Sequence, residues 1–96
     1  MAAGYIIAYV DVTDPEQYKQ YITLSSRAMQ AHGAEVLVRG GNPGQLEGEW
    51  APTRVVVLKF PSTDAARKFY DSEEYLAARQ ARAGAAVMNM IVVEGA

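Results

Sequence analysis

Four short segments of the chain are apolar at almost every position, and between them lie stretches whose apolar residues recur at helical spacing. Tyr5 to Val12 (YIIAYVDV) is rich in β-branched and aromatic side chains and runs into Thr13-Asp14-Pro15, which predicts a strand ended by a turn. Asp14 is placed to cap a helix with Pro15 at its first position; alternatively, Thr13 and Glu16 form a capping box. Tyr18, Tyr21, Ile22, Ser25, Ala28 and Met29 then follow the i, i+3, i+4, i+7 stripe of an amphipathic helix. His32-Gly33 closes it, glycine being suited to the left-handed position past a helix end. Glu35 to Arg39 (EVLVR), Arg54 to Phe60 (RVVVLKF) and Ala86 to Val93 (AVMNMIVV) predict three more strands. Ser62, Thr63 or Asp64 caps a second helix carrying Ala65, Ala66, Phe69 and Tyr70. Asp71-Ser72 interrupts that helix, and Ser72 re-caps a segment running to Arg82. The order β-α-β-β-α-β predicts an α+β fold of the ferredoxin-like kind, a four-stranded antiparallel sheet with both helices on one face.

An antiparallel sheet with one wet face alternates apolar and polar residues, and these strands do not. Tyr5, Ile7 and Tyr9 share one face while Ile6, Ala8 and Val10 share the other. Val56, Leu58 and Phe60 lie opposite Val55 and Val57, and Val87, Ile91 and Val93 lie opposite Met88, Met90 and Val92. Only Asp11, Lys59 and Asn89 clearly break the pattern. Helices cover one face. The other spans roughly 20 by 19 Å, about 400 Å² in projection, which reaches the ~300–600 Å² of the largest apolar patch on a typical monomer. The expected cover is the sheet of a second copy packed face to face; the alternative is that a chain terminus or the loop 40–52 covers it.

Composition is compatible with this picture. A chain of 96 residues is expected to be one domain over 1–96, and a domain so small buries only ~60–65% of its unfolded surface, so pairing is a standard remedy. The net charge of −2 comes from nine Lys/Arg and eleven Asp/Glu with no run of like charge, which argues against a nucleic-acid partner. The chain has no cysteine, which favours a cytoplasmic setting. The longest apolar runs are far below the ~20 residues of a membrane span, and Met1-Ala2-Ala3-Gly4-Tyr5 lacks the pattern of a secretory signal. No membrane association is expected.

The matching order of several short motifs resembles the bacterial family catalogued as domain of unknown function 1330. They are Thr13-Asp14-Pro15-Glu16 with Tyr18 and Tyr21, His32-Gly33, Arg39-Gly40-Gly41, Leu46-Glu47-Gly48 with Trp50, Arg54-Val55-Val56, Phe60-Pro61-Ser62, Tyr70-Asp71-Ser72 with Tyr75, and Arg82. Ala34 departs from the pattern, where the family commonly has a second glycine. The resemblance implies the dimeric α+β barrel superfamily, with the ferredoxin-like fold and two sheets packed face to face in a homodimer, and it supplies no reaction.

The topology brings Asp11, Arg39, Arg54 and Arg82 to one edge of the sheet, under the loop 40–52 with Glu47 and Trp50. Two or three guanidiniums there can clamp a carboxylate or phosphate, with Trp50 stacking on the ligand. The alternative is an ion-pair network in which Arg39 or Arg54 meets Glu47 or Asp11 and pins the loop. His32 is the one histidine and thus a candidate acid/base, but its position fits a helix end, on the edge opposite the arginines. Tyr75 can line a pocket between sheet and helices or pack in the core. Asn89, polar within an apolar strand, is either a ligand contact or a backbone tie. Met88 and Met90 read as core. No metal-ligand spacing, phosphate loop or nucleophile–base pair is present, so no cofactor or metal is expected, and a haem-handling role is disfavoured by the place of His32. The expected function is binding of a small, anionic molecule between sheet and helices by a homodimer, with cofactor-free catalysis an option. The alternative is a non-catalytic module that contacts a protein through the loop 40–52.

Overall fold

The computed structural model describes residues 2–49 and 53–96. The elements follow in the order β1 (Gly4–Val12), α1 (Pro15–Ala31), β2 (Glu35–Gly40), β3 (Arg54–Phe60), α2 (Thr63–Tyr70), α3 (Glu73–Ala81) and β4 (Ala86–Glu94). The strands form one sheet in the order β2-β3-β1-β4, every neighbour antiparallel. This is the ferredoxin-like arrangement, with the second helix divided in two.

Each helix start has a side-chain cap, because the first N–H groups of a helix lack intrahelical acceptors. Asp14 Oδ1 accepts from the Gln17 N–H at 3.2 Å, so Asp14 and not the Thr13–Glu16 box begins α1. Ser62 accepts from the Ala65 N–H. Ser72 accepts from the Tyr75 N–H at 3.2 Å and donates to the Phe69 carbonyl at 2.7 Å. That hydroxyl therefore serves the end of α2 and the start of α3 together, which is why the chain bends there.

The period-2 geometry of a strand assigns the faces. Ile6, Ala8 and Val10 of β1 and Leu58 and Phe60 of β3 are buried beneath the helices. Phe60, Phe69 and Tyr75 stack in sequence, with ring centroids 5.2 and 4.7 Å apart, each large side chain contributing ~1.5–3 kcal/mol by burial. Gly4 lets β1 run against α2, since a Cβ there would collide with the backbone of Ser62 and Thr63.

The opposite face is uncovered. Val87 and Ile91 of β4 are 59% and 51% exposed, Val93 is exposed beside them, and Val38 of β2 is exposed at the opposite edge of the sheet. Ile7 lies at the centre, paired with Val57 on one side and Ile91 on the other. β2 carries an irregularity between Val36 and Val38, so Leu37 is an extra residue against β3 and is also exposed. No helix among the described residues is long and apolar enough to cross a membrane.

Candidate functional site

Antiparallel pairing brings the ends of β1 and β2 to the starts of β3 and β4: Val10 faces Arg54, Arg39 faces Val56, and Val12 faces Ala86. The C-terminal cap of α3, Arg82, reaches the same region. Arg39 crosses to α1, where its guanidinium donates to Ser26 Oγ at 2.6 Å and to the Ile22 carbonyl at 3.3 Å. Arg54 lies against Tyr18, with its guanidinium carbon 5.9 Å from the ring centroid. The backbone of Gly40 gives that guanidinium room: φ is +87°, and an added Cβ would come within 2.7 Å of Arg54 Nη1. Arg82 lies over Tyr21 at 5.5 Å. The Nε atoms of Arg54 and Arg82 are buried with no hydrogen-bond partner among the described residues. No carboxylate there lies within ion-pair distance of Arg39, Arg54 or Arg82.

Three tyrosines stand beside these cations. The Tyr21 and Tyr75 hydroxyls share a 2.6 Å hydrogen bond, and the Tyr75 hydroxyl also points a proton toward Met90 Sδ at 3.6 Å. Burial is the main cause that pushes the Tyr21 phenol well above its ordinary range, with Tyr75 adding to it. Burial also raises Tyr18, partly offset by the charge of Arg54. Both phenols therefore remain protonated at neutral pH and can act as hydrogen-bond donors.

Two spaces lie between the sheet and the helices. The larger, about 410 Å³, opens at the β4 edge. Its floor is Ile6 with Met88, Met90 and Val92. Its rim is Arg67 and Tyr70 of α2, with Asp71 and Arg82, the C-caps of α2 and α3. The smaller, about 20 Å³, is deeper and is reached by Arg39, Arg54, Ser25 and the three tyrosines. Arg39 and Arg54, read from the sequence as the anchors of a pocket, thus belong to the inner space, and Arg82 to the outer one. Tyr75 is 1% exposed and lines the inner space.

The other residues singled out in the sequence are placed elsewhere. Asp11 accepts from the Thr53 N–H and hydroxyl at 3.3 and 3.0 Å, tying down the start of β3, and it makes no ion pair with an arginine among the described residues. Glu47 is exposed on the loop and makes no ion pair among the described residues. Trp50 lies outside the described residues. Asn89 faces away from both spaces, exposed on the open face of the sheet and paired with Tyr9. His32 is the C-cap of α1; its ring packs edge-on against Phe69 and its Nε2 lies 3.4 Å from Glu74 Oε1, which joins α1 to α2 and α3.

Arg67, Tyr70 and Asp71 were missed by the sequence reading, although their i, i+3, i+4 spacing along α2 was a signal that they share one face. The place of Tyr70 is fixed by Arg79, whose guanidinium carbon is 4.4 Å from the ring centroid. Met88 and Met90, read as core, form the wall shared by the two spaces. Gln17 was also missed: its amide donates to the Ala81 and Ala83 carbonyls at 3.1 and 2.8 Å, fastening the start of α1 to the end of α3 and so holding Arg82 in place.

The chain belongs to the family of the domain of unknown function DUF1330, whose family model matches residues 3–96. No curated protein matches it. Among solved structures it is similar to a protein of unknown function from Rhodopseudomonas palustris, with a TM-score of 0.76 and 20% identity over 99% of this chain and 83% of that one. It is also similar to SnoaB, a cofactor-independent oxygenase from Streptomyces nogalater, with a TM-score of 0.65 and 9% identity over 97% and 92%. A dimeric ferredoxin-like protein of unknown function from Thermobifida fusca has a TM-score of 0.60 and 22% identity over 96% and 92%. At these identities the likeness is one of fold.

Proposed function

We propose that this protein is a homodimer that binds a small amphipathic anion in the cleft between β4 and helices α2 and α3. The observation that carries the reading is Arg82. Its side chain borders a cleft of about 410 Å³ with an apolar floor and a polar rim, and its Nε is buried without an acceptor among the described residues. A buried, unpartnered donor is costly, and a ligand carboxylate relieves that cost with a charge-assisted bond. Arg67 adds a second positive charge at the rim, against the single negative charge of Asp71. The methionine and aliphatic floor suits an apolar body, and the volume falls in the ~300–1,000 Å³ range of small-molecule sites.

The homodimer is supported by the open face of the sheet. Its apolar side chains at Ile7, Val38, Val57, Val87, Ile91 and Val93 need a cover, and a second copy offers an identical apolar face. The dimeric ferredoxin-like relative is consistent with this.

The test is thermal unfolding of the intact protein with a panel of small carboxylates, phosphates and aromatic acids. A compound at one hundred times its dissociation constant adds ~2.7 kcal/mol, which is roughly 10–20 °C for a domain of this size. Stabilisation by acids that disappears in Arg82→Ala supports the reading; a panel that leaves the wild type unmoved overturns it. Consumption of a stabilising compound in air separates a cofactor-free enzyme from a binding protein. A second reading rests on Leu46, which is fully exposed on the loop after β2: if no compound stabilises the protein, that loop is the surface to test for a protein partner.

A further inference from the structure

The outer cleft and the inner cavity have three lining residues in common, Ile6, Met88 and Met90. Ile6 is buried in the central strand and β-branched, so its rotamer is stiff. The two methionines are half-buried, and an unbranched thioether with three rotatable bonds repacks at little cost. The contact that holds Met90 in place is the Tyr75 hydroxyl at 3.6 Å from its sulfur, and a thioether is a weak acceptor. The wall between the two spaces is therefore movable at these two side chains.

Behind the wall, a mostly apolar space carries a few polar side chains. The inner cavity of about 20 Å³ is lined by Ala8, Val56, Leu58 and other apolar side chains, with Arg39, Arg54, Ser25 and the three tyrosines Tyr18, Tyr21 and Tyr75 among them; the Ser25, Tyr21 and Tyr75 hydroxyls are hydrogen-bonded to Ile22, to each other and to Met90. Such a volume holds about one water. The Nε of Arg54 is buried without a partner there, and no described carboxylate balances its charge. Gly40 leaves the guanidinium its place.

We propose that Met88 and Met90 are a movable partition between two halves of one site, and that the ligand is a monocarboxylate whose head passes them to reach Arg54 while its apolar body stays in the outer cleft. This rests on the reading of the outer cleft as the ligand site. A carboxylate has four acceptor positions on two oxygens, which match a guanidinium fork and a phenol hydroxyl. The partition admits an unbranched neck, since a chain of methylenes is as slender as the methionine side chains it displaces. The inner cavity is thus a cryptic extension of the cleft, closed in the unliganded protein and opened by repacking two side chains.

Octanoate, with octan-1-ol as its neutral counterpart, tests the proposal on the whole protein carrying ¹³C-methyl methionine. On addition of octanoate, the methyl signals of Met88 and Met90, assigned by Met88→Leu and Met90→Leu, are expected to shift. Arg54→Ala is expected to weaken octanoate binding roughly tenfold or more, the loss of one charge-assisted bond, and to leave octan-1-ol unchanged. Arg54→Lys, which keeps the charge and loses the fork, is expected to weaken octanoate by a smaller factor, and it guards against misfolding of the alanine variant. Met90→Ile, stiff at the partition, is expected to weaken octanoate more than octan-1-ol. Octanoate binding that depends on Arg82 but is the same in both Arg54 variants overturns the partition and leaves the outer site standing, the inner space then being a water-filled void only. If octanoate does not bind at all, and no acid of the panel stabilises the protein, both readings fall.

Discussion

Ile7→Lys puts a charge at the centre of the uncovered sheet face, between Val57 and Ile91. In a face-to-face dimer with two-fold symmetry each substitution occurs twice. Full burial of an isoleucine contributes ~1.5–3 kcal/mol, but Ile7 is already half-buried in the protomer, so a dimer gains at most about a third of that at each copy and the pair of substitutions removes ~1–2 kcal/mol. At 1.4 kcal/mol per tenfold, that is roughly a 5–30-fold weaker dimer, and the cost of burying two facing lysine charges without partners adds to it. The folded protomer should survive, because the helix-covered core is built from Ile6, Ala8 and Val10 on the other side of the same strand. Light scattering behind size-exclusion chromatography over a concentration series reads the mass, and circular dichroism checks the fold. The expected result is a dimeric wild type and a folded, monomeric variant. A wild type that is monomeric throughout the series, or a variant that keeps the dimer mass, would refute the reasoning.

Three further predictions follow from the same geometry. Gly40→Ala forces a side chain into φ +87° and onto the Arg54 guanidinium, so a loss of at least ~1–2 kcal/mol is expected in urea unfolding; wild-type stability would show that the guanidinium is free to move aside. Ser72→Ala removes the cap of α3 and the bond to Phe69, and should cost ~1 kcal/mol, with hydrogen exchange at the first turn of α3 rising; unchanged exchange would count against the shared cap. The Tyr21 and Tyr18 phenols hold their protons in the folded state beyond the ordinary value of 10.0, so the unfolded chain releases protons first as pH rises. Their contribution to stability is whole below pH 10 and is lost above it. The urea midpoint should fall on that side, less steeply in Tyr21→Phe, and an equal fall in both proteins would contradict the assignment.

Local sequence determined the elements because their signals are local. Apolar runs ended by Thr13-Asp14-Pro15 and Pro61-Ser62 mark strands and helix starts, and the Asp71-Ser72 break appears where α2 and α3 divide. The lack of alternation in the strands also announced a sheet with two apolar faces, and the open face carries those residues. Period-2 reading separated Ile7 from Ile6 but left open which of them meets the helices. Packing decided that: the face with Phe60 and Leu58 closes on Phe69 and Tyr75, a long-range choice with no local mark. The same limit applies to the site. Arginines at strand ends were legible as neighbours, since antiparallel topology brings Arg39 and Arg54 together, yet their partners were not. Arg39 is taken up by Ser26 and Ile22 of α1, Asp11 by Thr53, and Asn89 by the other face. Whether a charged side chain pairs, caps a helix or faces a cavity depends on distances of a few ångströms between elements far apart in sequence. The chain by itself thus determined the strands, the helices and their order. Only the tertiary structure decided that Met88 and Met90 stand between the outer cleft and the inner cavity that Arg39 and Arg54 line, because that wall exists only once β4 has packed beneath the helices.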